Sequence, residues 1–366
     1  MKKILLVFGT RPEAIKMCPL VSELKKRAGE FEAKVCVTGQ HREMLDQVLK
    51  VFRINPEYDL NIMKNGQTLF DITCEVLVGM KGVIASEKPD VVLVHGDTTT
   101  SFATALACFY LHTPIGHVEA GLRTYNLSSP WPEEYNRQAV DIMSDYLFAP
   151  TETSRLNLIK EGKCAERIWV TGNTGIDALR TTVMESYSHP ELDWASDSRL
   201  ILITAHRREN LNEPMHNMFR AIRRVMEEHP DTKAIYPIHM NPLVRNAAHE
   251  ELDGFNRLRI MEPLEVLDFH NFMAASHLIL TDSGGIQEEA PSLGKPVLVM
   301  RDTTERPEGV SAGTLKLVGT DEDTIYREFS RLLSDDNEYA AMSHASNPYG
   351  DGHACERIAN IIANSL

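Results

Sequence analysis

Three acidic residues in the first half of the chain, Asp97, Glu119 and Glu133, occupy positions where carboxylates can do chemistry. Asp97 and Glu119 each follow a short apolar segment, and Glu133 enters a helix that should begin near Pro132. Each has an ordinary structural explanation on its own, because Glu133 would complement a helix dipole and Asp97 could cap a helix starting at residues 98–101. Considered together, the three side chains suggest proton transfer and charge positioning.

A glycine-rich segment in the second half, Ser283-Gly284-Gly285, follows a predicted strand and opens a predicted helix. Glycines allow a diphosphate to approach the backbone, and the free N–H groups at a helix start attract its charge. Glu289, further into the helix, is suited to accept hydrogen bonds from ribose hydroxyls. An isolated segment of this kind is more often a plain strand-to-helix turn, but Arg306, beyond the next strand, favours anion binding.

The segment Thr10-Arg11-Pro12-Glu13 resembles a capping box, in which Thr10 caps a helix and Glu13 reaches back to the cap. Arg11 and Lys16 would then project near the end of the first predicted strand, where they could meet a phosphate group. The segment therefore predicts a capped helix and two cations beside a binding edge.

Basic and imidazole side chains also end two strands of the second half. His206 and Arg207 follow a strongly apolar strand, where a solvated face and a functional role are equally open. His239 follows another strand, and for it a structural role is at least as expected as a functional one.

Short apolar segments rich in β-branched residues alternate with longer amphipathic segments and would position all of these groups. The predicted strands are Ile4–Phe8, Lys34–Thr38, Val91–His95, Ile115–Val118, Tyr146–Ala149, Ile168–Thr171, Leu200–Thr204, Ala234–Ile238, Arg259–Glu262, Leu278–Thr281, Pro296–Val299 and Leu315–Val318. They lack a polar face, which is typical of strands covered by helices on both sides. Strands alternating with helices predict parallel sheets built from βαβ units.

The strands divide about evenly at residue 172, and this predicts two doubly wound, Rossmann-like α/β domains. Residues 1–171 would carry the carboxylates, and residues 172–352 the glycine-rich segment. In open parallel sheets, ligands bind beyond the carboxyl ends of the strands. We therefore expect the two groups of residues to meet in a cleft between the domains.

Composition excludes several classes of protein. The 366 residues are 43% hydrophobic and 25% charged, which is typical of a folded globular protein. A net charge of −14 without a concentrated basic patch argues against nucleic acid, and no apolar segment is long enough to span a membrane. No secretory signal is recognisable, so we expect a cytoplasmic protein. Scattered cysteines and histidines predict no metal site, and no GxGxxG motif follows a strand, so no nicotinamide cofactor is expected.

Over nearly its whole length the sequence resembles the non-hydrolysing bacterial UDP-N-acetylglucosamine 2-epimerases. The matching segments are Phe8–Lys16, Gln40–Asp46, His95–Thr100, Gly116–Arg123, Ser129–Asn136, Thr204–Asn210, Thr281–Gly294, Arg301–Gly309 and Asn347–Gly352. The resemblance implies a glycosyltransferase-B fold, a homodimer, and a final helix at about residues 353–366 that returns to the first domain. It also implies an enzyme that supplies N-acetylmannosamine units for cell-surface polysaccharide.

The same resemblance implies roles for individual residues. Catalysis would fall to Asp97, Glu119 and Glu133. The UDP-sugar contacts would come from Arg11, His206, Ser283, Glu289 and Arg306, beside Lys16, Gly284 and Gly285. A second UDP-N-acetylglucosamine would bind as an allosteric activator near Gln40, His41, Arg207 and His239.

Inversion at carbon 2 of an N-acetylhexosamine has two chemical solutions, and the residues favour one of them. Oxidation of a neighbouring hydroxyl needs a nicotinamide cofactor, whose sequence motif is absent. Elimination of UDP needs a diphosphate site and more than one carboxyl group, and both are present. A retaining glycosyltransferase, a hydrolysing epimerase and a catalytically silent sugar-nucleotide sensor remain as alternatives, because a fold alone does not determine a reaction.

Overall fold

The computed structural model describes residues 1–39, 42–64, 66–304 and 306–366, and of residues 42 and 43 it describes only the backbone. Within these ranges the chain divides into two compact units. The first unit is Met1–Thr181 together with Tyr349–Leu366, and the second is Thr182–Pro348. The chain therefore leaves the first unit once and returns to it near its end.

The first unit is built around a parallel sheet. Its described strands are β1 Lys2–Phe8, β2 Phe31–Val37, β3 Tyr58–Asp59, β4 Val91–His95, β5 Ile115–Val118, β6 Tyr146–Ala149 and β7 Ile168–Val170. They lie side by side in the order β3-β2-β1-β4-β5-β6-β7. The connecting helices are α1 Arg11–Lys26, α2 Arg42–Val51, α3 Leu69–Glu87, α4 Thr99–Tyr110, α5 Glu133–Met143, α6 Glu152–Lys160 and α7 Thr174–Thr182.

The second unit repeats this architecture. Its described strands are β8 Arg199–Thr204, β9 Thr232–Pro237, β10 Leu258–Met261, β11 Leu278–Thr281, β12 Val297–Val299 and β13 Leu315–Leu317, in the order β10-β9-β8-β11-β12-β13. Its helices are α8 Pro190–Ala195, α9 Glu213–Glu228, α10 Pro242–Leu252, α11 Val266–Ala275, α12 Ile286–Glu289, α13 Pro307–Ala312, α14 Glu322–Ser334 and α15 Asp336–Ser343. The last helix of the chain, α16 Ala354–Ser365, belongs to the first unit.

Both sheets are parallel throughout their described pairings, as the unbroken apolar strands predict. The middle residues of the central strands are fully buried, among them Leu6 and Val94 in one sheet and Ile203 and Leu280 in the other. The two doubly wound α/β domains predicted from the sequence are therefore confirmed.

Each sheet has one place where the direction of winding reverses. In the first sheet β1 lies beside β4, and in the second β8 lies beside β11. The helices that follow these neighbouring strands pass to opposite faces of the sheet, which leaves a crevice at the strand ends. The turns after β4, β8 and β11 carry Asp97, His206, Arg207, Ser283, Gly284 and Gly285, which were selected from the sequence.

The boundary between the units differs from the sequence prediction of residues 171 and 172. The structure assigns the segment up to Thr181 to the first unit, and the chain returns there at Tyr349 rather than at residue 353. The N–H of Asn173 donates to the carbonyl of Tyr349 at 2.7 Å. The Asp177 carboxylate accepts the N–H of Cys355 at 2.8 Å. These contacts between distant segments could not be read from local patterns.

The last helix, α16, packs against α1 of the first unit. The Lys2 ammonium group on β1 also donates to the carbonyl of Ile362 at 3.4 Å. Within the described ranges, no helix combines the length and apolarity needed to cross a bilayer. Nor does the described part of the chain gather three or more potential metal-binding side chains.

Candidate active site

The turns after β4 and β5 bring Asp97 and Glu119 to neighbouring positions. These strands pair in parallel, and the N–H of Gly96 donates to the carbonyl of Val118 at 2.9 Å. A β-carbon added to Gly96 would lie 3.5 Å from a carboxylate oxygen of Glu119, so the two turns touch. Glu119 has φ of +72°, a left-handed conformation that residues with a side chain rarely adopt. Such strained backbone concentrates at functional sites.

Glu119 lies between two basic groups. The Lys16 ammonium group forms an ion pair with its carboxylate, and Nε2 of His95 lies 3.5 Å from the same oxygen. The Asn173 side-chain amide donates to this oxygen at 3.4 Å. Burial by itself would raise the pKa of Glu119, but the charges of Lys16 and His95 outweigh it and hold that pKa well below its ordinary value. Glu119 is therefore a carboxylate throughout the neutral pH range.

Asp97 is held by α5 and does not act as a helix cap. The Arg137 guanidinium forms an ion pair with its carboxylate, with Nε donating at 3.1 Å. The Asn136 amide donates to its backbone carbonyl at 2.9 Å. Thr98 caps α4 instead, because its hydroxyl accepts the N–H of Ser101 at 3.1 Å. The capping explanation considered for Asp97 is therefore wrong, and its carboxylate is available for another role.

Glu133 is the first residue of α5, one turn before the two residues that hold Asp97. The residue is half-buried, and its side chain makes no hydrogen bond or ion pair to any residue that the structure describes. Its neighbour Glu134 is fully buried and accepts the N–H groups of Thr124 and Tyr125, each at 3.0 Å. Glu134 therefore fixes the start of α5, while the carboxylate of Glu133 is uncommitted among the described residues.

The first turn of α1 confirms the capping box. The N–H of Thr10 donates to Glu13 at 2.8 Å, and the Thr10 hydroxyl accepts the N–H of Glu13. Burial lowers the pKa of the Arg11 guanidinium, which stays charged, and no described carboxylate lies within ion-pair distance of it. Lys16, predicted to lie near a phosphate, forms an ion pair with Glu119.

Glu13 has a second role that its sequence pattern does not show. Its other carboxylate oxygen accepts the hydroxyls of Thr98 at 2.7 Å and Ser101 at 3.2 Å. Glu13 therefore links the turn after β1 to the turn after β4. These are the two neighbouring strands at which the winding of the sheet reverses. The capping-box pattern was the only signal in the sequence, and it indicated the local role alone.

In the second unit, the side chain of Arg306 lies against the turn after β11. The N–H of Ser283 donates to the Thr281 hydroxyl at 2.9 Å. Nε of Arg306 donates to the buried Glu288 carboxylate at 2.7 Å. A β-carbon on Gly284 would lie 2.9 Å from the Arg306 guanidinium, so this group rests directly on the glycine turn. The arrangement provides a positive charge beside the backbone of the glycine turn, as an anion site requires.

Glu289 lies on the far side of the same turn. A β-carbon on Gly285 would be 3.8 Å from its carboxylate, and Nε2 of the buried His270 lies 3.7 Å from it. The helix α12 is short, because it ends at Glu289 and continues as a 3-10 helix over Ala290–Leu293. The structure thus brings Ser283, the two glycines, Glu289 and Arg306 into one turn region.

Asp282 holds the turn after β8 and was not selected from the sequence. One of its oxygens accepts the N–H groups of His206 and Arg207, each at 2.8 Å. Nδ1 of His206 lies 3.2 Å from the other oxygen. Burial opposes the charge on Asp282, but His206 and the two N–H groups lower its pKa. Its place next to Ser283 at the end of β11 was the available signal.

The rings of His206 and His239 stack, with centroids 5.5 Å apart. Burial and the neighbouring charge of His206 lower the pKa of His239. The structure therefore brings His206, Arg207 and His239 together at adjacent strand ends. Gln40 and His41, predicted to join Arg207 and His239 in an allosteric site, lie outside the described residues.

The family model and the most similar relatives identify the same protein family. The sequence profile described as UDP-N-acetylglucosamine 2-epimerase matches residues 22–363. The chain is 62% identical over 356 residues to the UDP-N-acetylglucosamine 2-epimerase of Bacillus subtilis (strain 168), a match that covers 97% of this chain and 93% of the relative. It is 56% identical over 374 residues to the enzyme of Escherichia coli (strain K12), with 99% of each covered.

Solved structures lead to the same family. The Neisseria meningitidis UDP-GlcNAc 2-epimerase bound to UDP-GlcNAc superimposes with a TM-score of 0.90 at 49% identity, covering 98% of this chain and 99% of that one. S. aureus MnaA in complex with UDP also gives 0.90, at 54% identity, covering 99% of this chain and 96% of that one. The two parallel-sheet units agree with the predicted glycosyltransferase-B fold class. The chain belongs to the UDP-N-acetylglucosamine 2-epimerase family, whose enzymes are isomerases.

Proposed function

We propose that this chain interconverts UDP-N-acetylglucosamine and UDP-N-acetylmannosamine by eliminating UDP and adding it back. The observation that carries the proposal is the set of carboxyl groups in the first unit, with Asp97 and Glu119 on touching turns and Glu133 on the helix that holds Asp97. Family membership supports the overall reaction. The relatives bound to UDP and to UDP-GlcNAc support a UDP-sugar as substrate.

The reaction balances without a cofactor. A base removes the proton from carbon 2, the electron pair of that bond forms the double bond between carbons 1 and 2, and the bond from carbon 1 to UDP breaks. The intermediates are 2-acetamidoglucal and UDP. UDP then adds back to carbon 1 while an acid delivers a proton to the opposite face of carbon 2.

The three carboxyl groups are suited to different steps of this reaction. A group that transfers a proton must change its protonation state in each cycle. Glu119, whose pKa is held low by Lys16 and His95 against the effect of burial, is better suited to balance positive charge that develops at carbon 1. We assign the two proton transfers to Asp97 and Glu133.

The second unit supplies the proposed UDP site. Ser283 and the N–H groups of Gly284 and Gly285 would bind the diphosphate, with Arg306 as the countercharge. Glu289 would accept hydrogen bonds from the ribose.

The remaining proposed contacts are cationic. His206 is held in place by Asp282. Arg11 is charged and has no described acidic partner. Lys16 would stay on Glu119 while its charge also attracts the leaving diphosphate.

The proposal extends to regulation and cellular role. A second UDP-N-acetylglucosamine would act as an activator near Gln40, His41, Arg207 and His239. The stacked rings of His206 and His239 support a link between that site and the UDP site, since they join the two sets of residues. We also propose a cytoplasmic homodimer whose product serves cell-surface polysaccharide synthesis.

Two isotopic labels test the mechanism in one reaction. In deuterium oxide, without nicotinamide, the product should gain one deuterium at carbon 2, because the returning proton exchanges with solvent. Oxygen-18 in the bridge between carbon 1 and phosphorus should scramble into non-bridging positions of UDP, because the bond from carbon 1 to oxygen breaks. Mass spectrometry and phosphorus NMR measure the two outcomes.

Each alternative has a distinct result. Oxidation at a neighbouring hydroxyl would leave the bridging label in place, and epimer formation with that label fully retained would exclude elimination. A hydrolysing epimerase would accumulate free N-acetylmannosamine. A glycosyltransferase without an acceptor, or a silent sensor, would produce no epimer.

A further inference from the structure

A group of buried charged side chains lies directly behind the turns that carry Asp97 and Glu119. His117 of β5 and Asp141 of α5 are fully buried, and Nδ1 of His117 lies 2.6 Å from a carboxylate oxygen of Asp141. The side chain of Arg123 is also fully buried. None of these three residues has a role in the proposed reaction, and charges buried at this depth need a compensating function or partner.

The two ring nitrogens of His117 both face acceptors. Nδ1 faces Asp141, and Nε2 lies 2.8 Å from the carbonyl of Gly96. A carbonyl oxygen and an ionised carboxylate only accept hydrogen bonds, so each ring nitrogen must carry a proton. Burial opposes the charge on Asp141, but His117 and Arg123 lower its pKa, so its carboxylate is ionised. The geometry therefore requires an imidazolium paired with a carboxylate.

The second oxygen of Asp141 reaches the other turn. It accepts the N–H of Gly121 at 3.2 Å and the guanidinium of Arg123 at 2.7 Å. Arg123 in turn pairs with Glu161, with both hydrogen bonds at 2.7 Å. Two positive and two negative groups thus alternate in one connected cluster. This neutrality allows the charges to be buried, and removal of one partner would leave another uncompensated.

The cluster forms hydrogen bonds to the backbones of two turns, the one after β4 and the one after β5. Gly96, the residue before Asp97, is held on two sides, since its N–H donates to the carbonyl of Val118 and its own carbonyl accepts from His117. The N–H of Gly121, two residues after Glu119, is held by Asp141 itself. One carboxylate therefore connects, directly or through His117, to the turns that position two of the three proposed catalytic groups.

We propose that Asp141 is a positioning residue that fixes Asp97 and Glu119 relative to each other by holding the ring of His117 and the backbone N–H of Gly121. This inference rests on the proposed function for its effect on turnover, although the charge state of His117 does not. It predicts a selective loss: turnover depends on the geometry of the carboxyl groups, whereas UDP affinity, proposed to come mainly from Ser283, Gly284, Gly285 and Arg306, does not.

Two variants at one position separate geometry from charge. Asp141→Ala removes the hydrogen bonds to His117, Gly121 and Arg123. The value of kcat should therefore fall about 10- to 100-fold, the scale expected for small misplacement of reacting groups. Asp141→Asn can keep these hydrogen bonds, because its amide can donate to a neutral His117 while its oxygen accepts from Gly121 and Arg123. Asp141→Asn should therefore retain kcat within about threefold if geometry is what matters.

UDP affinity and KM are the controls, and both should stay within about threefold of the unmodified protein in the two variants. Equal losses in Asp141→Ala and Asp141→Asn, or unchanged kcat in a folded Asp141→Ala, would overturn the positioning role. If Asp141→Ala does not fold, Asp141→Ser gives the same comparison, because its hydroxyl is too short to reach both His117 and Gly121.

Nitrogen-15 NMR of labelled histidine tests the charge state without any assay of turnover. In the folded protein at neutral pH, both ring nitrogens of His117 should carry a proton, because each faces a hydrogen-bond acceptor. Its signal is assigned by loss in His117→Gln, and Asp141→Asn should convert it to a neutral ring. A neutral His117 in the unmodified protein would overturn the inference. A protein that binds UDP with the imidazolium present but forms no epimer would instead contradict the proposed function.

Discussion

The two sheets reverse their winding in the same way, but carboxylates follow β4 and β5 in one unit, whereas a guanidinium lies on the glycine turn of the other. In the first unit, the carboxylates of Asp97 and Glu119 stand at the turns, and the cations Arg137 and Lys16 hold them. In the second unit, the Arg306 guanidinium lies on the glycine turn, and the buried Glu288 carboxylate holds it. Topology determines where a site forms. In the proposed function, the sign of the group at the strand end, and of the buried group behind it, separates the site of proton transfer from the anion site.

The largest expected effect comes from removing the negative groups of the first unit. Asp97→Asn, Glu119→Gln and Glu133→Gln keep the size of each side chain but remove its charge, and turnover should fall at least about 100-fold. UDP affinity should change much less, as isothermal titration with UDP would measure. Asp323→Asn is a control, because this carboxylate is 84% exposed on α14. Near-normal turnover in all three variants would make these carboxylates structural.

The second prediction concerns the second unit, from which two proposed UDP contacts are removed one at a time. Ser283→Ala and Arg306→Ala should each weaken UDP binding by about 1.5–3 kcal/mol, or about 10- to 150-fold, because a charge-assisted hydrogen bond is lost. Arg327→Ala is a matched control, since this arginine is 63% exposed and distant from the glycine turn in sequence. Unchanged titrations in folded variants at both positions would show that UDP binds elsewhere.

The third prediction concerns pH and the cation behind Glu119. In the folded chain the low pKa of Glu119 contributes stability above the ordinary glutamate pKa of about 4.3, and this contribution is lost as pH falls through the lower folded value. Lys16→Met removes the positive charge, so the pKa of Glu119 should rise. The acid limb of the pH profile of kcat/KM should therefore move to higher pH.

Lys25→Met provides the matched control for this experiment. Lys25 lies on the same helix and pairs with Glu57, and its side chain is 40% exposed. Its replacement should leave the pH profile unchanged. An acid limb that stays in place in Lys16→Met would mean that Glu119 does not need its charge for activity.

The smallest expected effect distinguishes two adjacent glycines. A methyl group at Gly284 would displace the Arg306 guanidinium, which lies 2.9 Å from that position, whereas at Gly285 the nearest atom is 3.8 Å away. In both variants the added methyl group narrows the space through which a diphosphate would approach the backbone. Gly284→Ala should nevertheless weaken UDP binding about three- to tenfold more than Gly285→Ala, a difference of roughly 1 kcal/mol. Equal titrations for the two variants would contradict the placement of Arg306 on the turn.

Sequence patterns predicted most of the architecture because strands and turns follow local rules. Each of the twelve predicted strands overlaps a strand of the structure, and Val91–His95, Ile115–Val118, Tyr146–Ala149 and Leu278–Thr281 match it residue for residue. The exception was β3, Tyr58–Asp59, a two-residue edge strand too short to show a pattern. The capping box at Thr10 was also readable, because its two partners are three residues apart.

The partners of the site residues were not readable, because they come from distant parts of the chain. Lys16 and Glu119 are 103 residues apart, and Arg137 and Asp97 are 40 apart. Asp141 carries no motif, and its contact with His117 depends on how α5 packs against β5. Residues of this kind are selected by burial and charge compensation, which exist only after the chain has folded.

By itself, the sequence determined the type of each element, the parallel winding of both units, and the chemical groups at the strand ends. These properties follow from hydrophobic periodicity and turn chemistry, which act over a few residues. Tertiary structure decided which strand ends became neighbours, since β1 lies beside β4 and β8 beside β11. It also set the charge state of Glu119 through Lys16 and His95. Electrostatic interactions depend on distance and burial in space, and separation along the chain specifies neither.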